Sequence, residues 1–520
     1  MAASLAETRA GAARRPRREC YADPSNKKTF MQNGTRLAAV DLGSNSYRLE
    51  IGHLDHGQIH RTEYLKETVR QGSGLDEERN LTPLAMQRGW DCLARFGERL
   101  AGFKKHHVRA VATQTLREAR NRAEFLSEAE RILGFPIDVI SGREEARLIY
   151  QGVAHSLPQS TERRLVVDIG GRSTELILGR QYQAHEMVSL RMGSVAWSAR
   201  FFAEGQLSAQ AFEDAQTAAK AQIDEVLAVF SPGQWDVAYG SSGTVGAVGD
   251  ILAQCGRTAG RITRADLLWL EQQLLRAGHV GRVQLAGLKE DRRPVIGGGL
   301  SVLRALFDAL DIEDMQVAQG ALRQGVLYDM VNRESPATDL RSAAVTALSQ
   351  RFGVDGPQAQ RVAEVATRLF AQVAPAQDGP AQQLGWAAQL HEVGCRIAHS
   401  GYHRHGAYIL EHTDAAGFAQ GELQSLAQLV RAHRGKLRKL ELDWSNTAFV
   451  LQLACLRLAV ALCHARCSPD LAGLSLQHKG ERLQLCTRGG WADAYPQSAH
   501  LLREESADWQ RTPWTLSVEP

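Results

Sequence analysis

The sequence predicts an α/β protein built as two lobes facing each other across a cleft, followed by an all-α domain and a small C-terminal α/β domain. Three observations lead there. The first is an internal repeat: Leu37-Ala-Ala-Val-Asp41-Leu-Gly43-Ser44-Asn45-Ser46 and Leu165-Val-Val-Asp168-Ile-Gly170-Gly171-Arg172-Ser173 each pass from an apolar run through an aspartate into a turn of small residues. A second apolar run follows each copy, Leu49-Glu-Ile51-Gly52 and Leu176-Ile-Leu178-Gly179. Each therefore reads as strand, acidic turn, strand, and a repeat of this kind marks a duplicated structural unit. The second observation is that residues 36 to about 335 alternate strand-like runs with helical periodicity. The third is that from about Ser342 the chain changes to long amphipathic helices.

Taken in order, residues 1–35 are rich in Ala and Arg without an apolar core segment, which suits a disordered basic tail rather than a signal peptide. Lobe I is expected over 36–149, with helices near Leu84 to Phe103 and Phe125 to Leu133 and strands at Val108 to Ala112 and Ile137 to Ile140. Lobe II is expected over 150–335. Its turn Gly240-Ser241-Ser242-Gly243-Thr244 follows the strand-like Trp235 to Tyr239, and a glycine turn, Gly297-Gly298-Gly299, precedes a helix starting near Leu300. The polar, proline-bearing stretch from Val331 to Asp339 reads as a linker to the helical domain, 336–469. In 470–520, Leu474-Ser-Leu-Gln and Leu483-Gln-Leu-Cys486 alternate like strands of a small separate unit.

Composition narrows the class. The 520 residues carry a net charge of +3, too small to argue for nucleic acid, and no stretch has the uninterrupted apolar length of a membrane span. The eight cysteines are scattered, which suits reduced thiols in a cytoplasmic protein better than a disulfide framework or a zinc site. Cations concentrate in the C-terminal half, at His399-Ser-Gly-Tyr-His403-Arg404-His405 and at Arg431-Ala-His433-Arg434-Gly-Lys436-Leu-Arg438-Lys439. Such runs form either a solvated face or a track for a polyanion.

The repeated turns carry the chemistry. Gly- and Ser-rich turns bring backbone N–H groups close to an anion. An aspartate at the strand end repels phosphate but can hold a divalent cation that bridges to it. Between the copies, Ser141-Gly142-Arg143-Glu144-Glu145 opens a helix, where acidic residues also match the helix dipole. The two glutamates point to different sides, so one is expected to face the cleft, placed to activate water, while the other pairs outward. Thr113-Gln-Thr115-Leu-Arg117 sets a hydroxyl and a guanidinium at another strand end, and Arg suits bidentate phosphate contact.

These motifs, with Asp168-Ile-Gly-Gly-x-Ser-Thr-Glu175 and His391-Glu-Val-Gly, resemble the exopolyphosphatase/guanosine pentaphosphate phosphohydrolase family over nearly the whole chain beyond the tail. The resemblance implies an actin-like fold of two ribonuclease-H-like lobes, a helical domain related to HD phosphohydrolases, a homodimer, and magnesium-assisted attack of water on a terminal phosphoanhydride. By the same resemblance Glu145 is the catalytic glutamate and Arg117 the phosphate-contacting arginine. Asp168 and Glu175 are metal-associated, with Asp41 a further candidate at the mirrored position. Ser44, Asn45, Ser46, Gly243 and Thr244 match phosphate-binding loops; Thr113, Gly171, Arg172 and Ser173 are further substrate-binding candidates. His403, Arg404, Arg434 and Lys436 would line a groove for long polyphosphate.

Two departures stand out. Arg172 occupies a position that is glycine in the family's motif, where its side chain either obstructs phosphate or adds a contact, and Gly297 to Gly299 replaces a proline-containing turn. The expected activity is exopolyphosphatase, with guanosine pentaphosphate hydrolysis the close alternative. From other classes come an actin-like ATPase or kinase, with Gly297 to Gly299 cradling adenosine, and a polyphosphate-binding protein whose metal site Arg172 has blocked.

Overall fold

A computed structural model describes residues 31–158, 160–333, 339–374 and 378–519. The expected tail lies outside the described residues except for its last five, and these belong to the folded body: Gly34 N–H donates to the Leu54 carbonyl at 2.7 Å and Met31 packs on the core.

Lobe I holds one five-stranded sheet, β1 (Arg36–Leu42), β2 (Tyr47–Asp55), β3 (Gln58–Glu67), β4 (Val108–Ala112) and β5 (Ile137–Val139), in the order β3-β2-β1-β4-β5. Lobe II repeats the plan with β6 (Arg163–Ile169), β7 (Thr174–Arg180), β8 (Gln183–Leu190), β9 (Val237–Ser241), β10 (Arg261–Thr263) and β11 (Asp314–Val317), in the order β8-β7-β6-β9-β11-β10. In each, an antiparallel meander is followed by parallel strands, with β10 an added antiparallel edge in lobe II. The run Leu37 to Val40 is apolar throughout because both faces of β1 are covered: Ala38 and Val40 enter the lobe I core, Leu37 and Ala39 the core between the lobes.

That shared core is filled by two helices, Gly142–Ser156 and Leu322–Arg333, packed between Leu37, Ala39 and Val111 of one sheet and Val166, Ile177 and Tyr239 of the other. They cross very closely: a Cβ on Gly325 would lie 1.7 Å from the Leu148 carbonyl oxygen. The expected boundary at 149/150 therefore falls inside a helix that belongs to both lobes, and the helix expected to end lobe II packs back against β1.

The glycines at 297–299 do not form a turn; they lie inside the helix Ile296–Ala309. A Cβ on Gly298 would sit 2.5 Å from Ser198 N and one on Gly299 2.6 Å from Thr244 Cγ2, so these residues are small to let helices touch rather than to bend the chain.

The described residues from 339 onward share one hydrophobic core. The strands β12 (Leu474–Lys479), β13 (Arg482–Thr487) and β14 (Thr515–Glu519) form the small C-terminal sheet, which packs Leu476, Leu485, Trp514 and Leu516 into the same core as Leu369, Phe370 and Leu453 of the helices. This part of the chain docks on the lobes in part through Gly417, whose N–H donates to Glu144 at 2.9 Å and whose carbonyl accepts from Arg333. Among the described residues no helix is long and apolar enough to cross a membrane.

Candidate active site

The two repeats place four charged side chains at matching strand ends. In the β1/β2 pair Asp41 lies opposite Arg48; in the β6/β7 pair Asp168 lies opposite Glu175. Directly opposed residues share a sheet face. In lobe I the result is an ion pair, Arg48 Nη1 donating to Asp41 at 3.1 Å, with Arg323 a further 3.5 Å neighbour. In lobe II it is two carboxylates on one face, both buried. Burial pushes Asp168 up to about 6, opposed by the Ser241 hydroxyl and reinforced by the charge of Glu145. Burial, then repulsion from Glu145 and Asp168, holds Glu175 well above the usual carboxylate range.

Glu145 enters from the first turn of Gly142–Ser156, where Ser141 caps the helix by accepting the Glu144 N–H at 3.2 Å. Burial raises its pKa against the lowering effect of Arg117. Arg117 stands on the short helix Gln114–Glu118 directly after β4; it donates to Glu145 at 2.7 Å and to the Ile140 carbonyl at 2.9 Å. Glu144 does not pair outward. It turns inward, chelated by Arg147 through two 2.8 Å bonds within a buried cluster that includes Asp329.

The Gly- and Ser-rich turns meet above these acids. A Cβ on Gly171 would lie 3.1 Å from Ser44 Cβ, so one lobe's turn comes close against the other's. Thr115 steadies the first turn by donating to Ser44 Oγ at 2.8 Å. Asn45 Nδ2 and Ser46 Oγ are buried without a hydrogen-bond partner among the described residues, as donors prepared for an anion would be. From lobe II the helix Ser242–Gln254 aims its N-terminus at the same space, entered through Ser242 at φ 77°, which donates its hydroxyl to the Ile169 carbonyl at 2.7 Å. The cavity so enclosed is about 520 Å³, with Asp41, Ser44, Asn45, Ser46, Thr113, Glu145, Asp168, Gly171, Ser173 and Gly243 among its lining residues.

Some expected residues are elsewhere. The Thr244 hydroxyl is committed to the Ile169 carbonyl at 3.1 Å. Arg172 neither obstructs the cavity nor reaches into it, because Glu118 and the Gly72 carbonyl hold its guanidinium on the lobe I side. His403, Arg404, Arg434 and Lys436 do not line the cavity either: Arg434 lies over the Tyr402 ring at 5.3 Å, His403 packs beside His433, and Arg404 and Lys436 are exposed on the helical domain. Sequence reasoning also missed the cationic wall formed by Arg48, Lys66, Lys289, Arg292 and Arg323. Arg48 had a signal, since it stands seven residues after Asp41 just as Glu175 stands seven after Asp168. The others come from distant segments and had none.

Among the described residues no three His, Cys, Asp or Glu side chains are gathered tightly enough to cage an ion. Magnesium does not demand a cage, since it keeps several waters and takes one or two carboxylates together with phosphate oxygens. The donor set of Asp168 and Glu175 fits it: two buried oxygen-donor carboxylates share one face, and the charges of Arg48 and Arg117 only partly offset the burial that holds their pKa values up. Asp41 is already compensated by Arg48 and Arg323 and drops out of that set.

Known proteins share both the sequence and the shape. The family model described as the Ppx/GppA phosphatase family matches residues 51–334, and that of Ppx/GppA phosphatase domain III matches 340–506. A guanosine-5'-triphosphate,3'-diphosphate pyrophosphatase of Vibrio cholerae is 40% identical over 93% of this chain and 98% of its own length; its namesake from Pseudoalteromonas translucida is 38% identical over 92% and 98%. Among solved structures, an exopolyphosphatase-like protein superposes with a TM-score of 0.53 at 26% identity, covering 57% of this chain and 98% of its own. The two family models and the curated relatives together span the actin-like lobes and the helical domain, and the chain belongs to the Ppx/GppA phosphatase family.

Proposed function

We propose that this chain is a phosphoanhydride hydrolase that removes the terminal 5'-phosphate of guanosine pentaphosphate. The observation that carries the reading is the 40% identity to a pyrophosphatase named for that nucleotide, sustained through the helical domain. It reverses the order expected from the sequence, which put polyphosphate first. The cleft supports it: a linear polyphosphate needs one line of anion contacts, whereas this nucleotide carries phosphates at both ends of its ribose. The cavity wall carries Arg48, Lys66, Lys289, Arg292 and Arg323, cations enough for more than one phosphate group.

The chemistry asks little covalent work of the protein. The Ser44 to Ser46 turn, Gly171 and the N-terminus of Ser242–Gln254 direct donors at the phosphate and hold it in line. Glu145 accepts the proton of the attacking water, and its raised pKa brings it nearer the range where a general base is most effective. Arg117, bonded to Glu145, orients that carboxylate and offers its charge to the transferring group. Asp168 and Glu175 would hold magnesium, whose charge would neutralise the phosphate oxygens.

The test is phosphate release with magnesium from guanosine pentaphosphate and from long-chain polyphosphate, side by side. A higher kcat/KM for the nucleotide supports the reading; a higher value for polyphosphate returns the assignment to exopolyphosphatase. The second reading is favoured by the exposed cations Arg404, Arg434 and Lys436 on the helical domain. If they form a polyanion track, replacing Arg434 and Lys436 by Ala weakens long polyphosphate more than short and steepens no other substrate's KM. Equal effects on long and short chains remove the track.

A further inference from the structure

Arg172 sits in the second repeat's turn, on lobe II, yet every hydrogen bond of its guanidinium goes to lobe I. Nε and Nη2 donate to Glu118 Oε2 at 3.2 and 2.9 Å, and Nη1 donates to the Gly72 carbonyl at 2.9 Å. Both receivers are joined to the chemistry by hydrogen bonds. Glu118 Oε1 accepts from Gln114 Nε2 at 2.5 Å; Gln114 Oε1 accepts from Arg117 at 2.6 and 3.1 Å; and Arg117 donates to Glu145 at 2.7 Å. On the other branch, Gly72 N–H donates to the Ser44 carbonyl at 2.8 Å, and Arg70 N–H to the Asn45 carbonyl at 2.9 Å, backing the phosphate turn from behind.

We propose that Arg172 is a positioning residue: an inter-lobe latch that sets Arg117 and Glu145 through Glu118 and Gln114, and the Ser44 to Ser46 turn through Gly72. The roles of Arg117 and Glu145 rest on the hydrolase reading above; the latch itself does not. Charge and geometry fit this work. A guanidinium presents donors in a fixed fork, so one side chain engages a carboxylate and a carbonyl at once. The pair is largely shielded, Arg172 25% and Glu118 15% exposed, so solvent screens it less than a surface ion pair. Without Arg172, Glu118 is an uncompensated carboxylate next to Arg117 in a five-residue helix, and it competes with Glu145 for that guanidinium. The departure from the family's glycine is thus a gain of contact between lobes rather than a blocked site.

The experiment combines hydrogen exchange with steady-state kinetics on whichever substrate the wild-type chain hydrolyses. Arg172→Ala is expected to speed exchange in both 70–74 and 113–118 and to lower kcat about ten-fold or more, the scale of a sub-ångström misplacement of reacting groups, with KM changed less. Glu118→Ala gives a similar loss, the double variant loses no more than either alone, and Arg172→Lys restores part of kcat. Arg163→Ala, which breaks the exposed Arg163–Asp236 pair of lobe II, serves as the control without effect. Unchanged exchange in both segments, unchanged kcat, or a loss confined to KM overturns the latch. A wild-type chain that releases phosphate from neither substrate overturns the hydrolase reading instead, while the exchange comparison still decides the latch.

Discussion

Replacing Asp329 by Asn tests how the catalytic helix is held. Asp329 lies on Leu322–Arg333 between the lobes, 2% exposed, and accepts from Arg109 at 2.5 Å, Arg147 at 2.6 Å and Arg333 at 2.8 Å. Burial alone would raise its pKa, but Arg147, Arg109 and Arg333 hold the carboxyl well below the usual range. The variant leaves those three guanidinium groups with Glu144, bonded to Arg147 and 4.0 Å from Arg109, as the remaining buried carboxylate. Breaking a buried pair costs about 3–5 kcal/mol. At roughly 2–4 °C per kcal/mol for a cooperative unit of about 150–250 residues, the melting temperature of the lobes falls by roughly 6–20 °C. Calorimetry near neutral pH reads this directly. Because the group is depressed in the folded state, its contribution is present above the unfolded carboxylate pKa of about 3.9 and is lost as pH falls through the folded value, so the gap between wild type and variant closes in acid. Turnover falls as well, since Glu144, the neighbour of Glu145, loses a partner of its partner. A gap of less than about 2 °C at neutral pH, or one that persists undiminished in strong acid, refutes the account.

Glu145→Gln removes the proton acceptor while keeping its shape, so kcat drops by about 10²–10⁴ with KM nearly constant; wild-type turnover would discard the assigned base. Asp168 is raised in the metal-free fold, so the stability linked to its protonation is present below the unfolded pKa and lost as pH rises through about 6. In chelator above that pH, Asp168→Asn therefore melts higher than wild type, and added magnesium raises the melting temperature of wild type but not of the variant. Equal magnesium stabilisation of both proteins removes Asp168 from the metal site.

The sequence made the lobes legible because each repeat writes its own hairpin: buried β1 and β6 are apolar without alternation, and the aspartate and small residues mark where each hairpin turns. Glu145 and Arg117 were legible for the same local reason, each following a short strand. What sequence could not show was anything set by packing across distance. Gly297 to Gly299 read as a turn because glycine serves bends and close helix contacts alike, and the contact, to Ser198 and Thr244, lies far off in the chain. Glu144 read as outward-facing because its partners, Arg147 apart, are Asp329's arginine neighbours and Gly417, nearly three hundred residues away. The basic stretch around His433 read as one face, whereas His433 is 2% exposed and only its flanks reach solvent.

The divergence of the two repeats gives the cleft its polarity. Had both kept Asp opposite Glu, the floor would hold four carboxylates in symmetry, and a polyphosphate would meet the same repulsion from either side. Exchange of one residue, Arg48 where the other copy has Glu175, makes the lobe I pair self-compensating and leaves lobe II with the acids that want a cation. Arg48 acts across the cleft too, since its charge lowers the cost of ionising Asp168. Under the proposed reading a bound phosphate would have one orientation of least energy, with the Asp168 and Glu175 pair on the side of a cation and the Ser44 to Ser46 turn on the side of its free oxygens. Arg48→Glu, which makes the floor symmetric, should therefore weaken substrate more than it weakens magnesium, whereas Glu175→Gln should do the reverse.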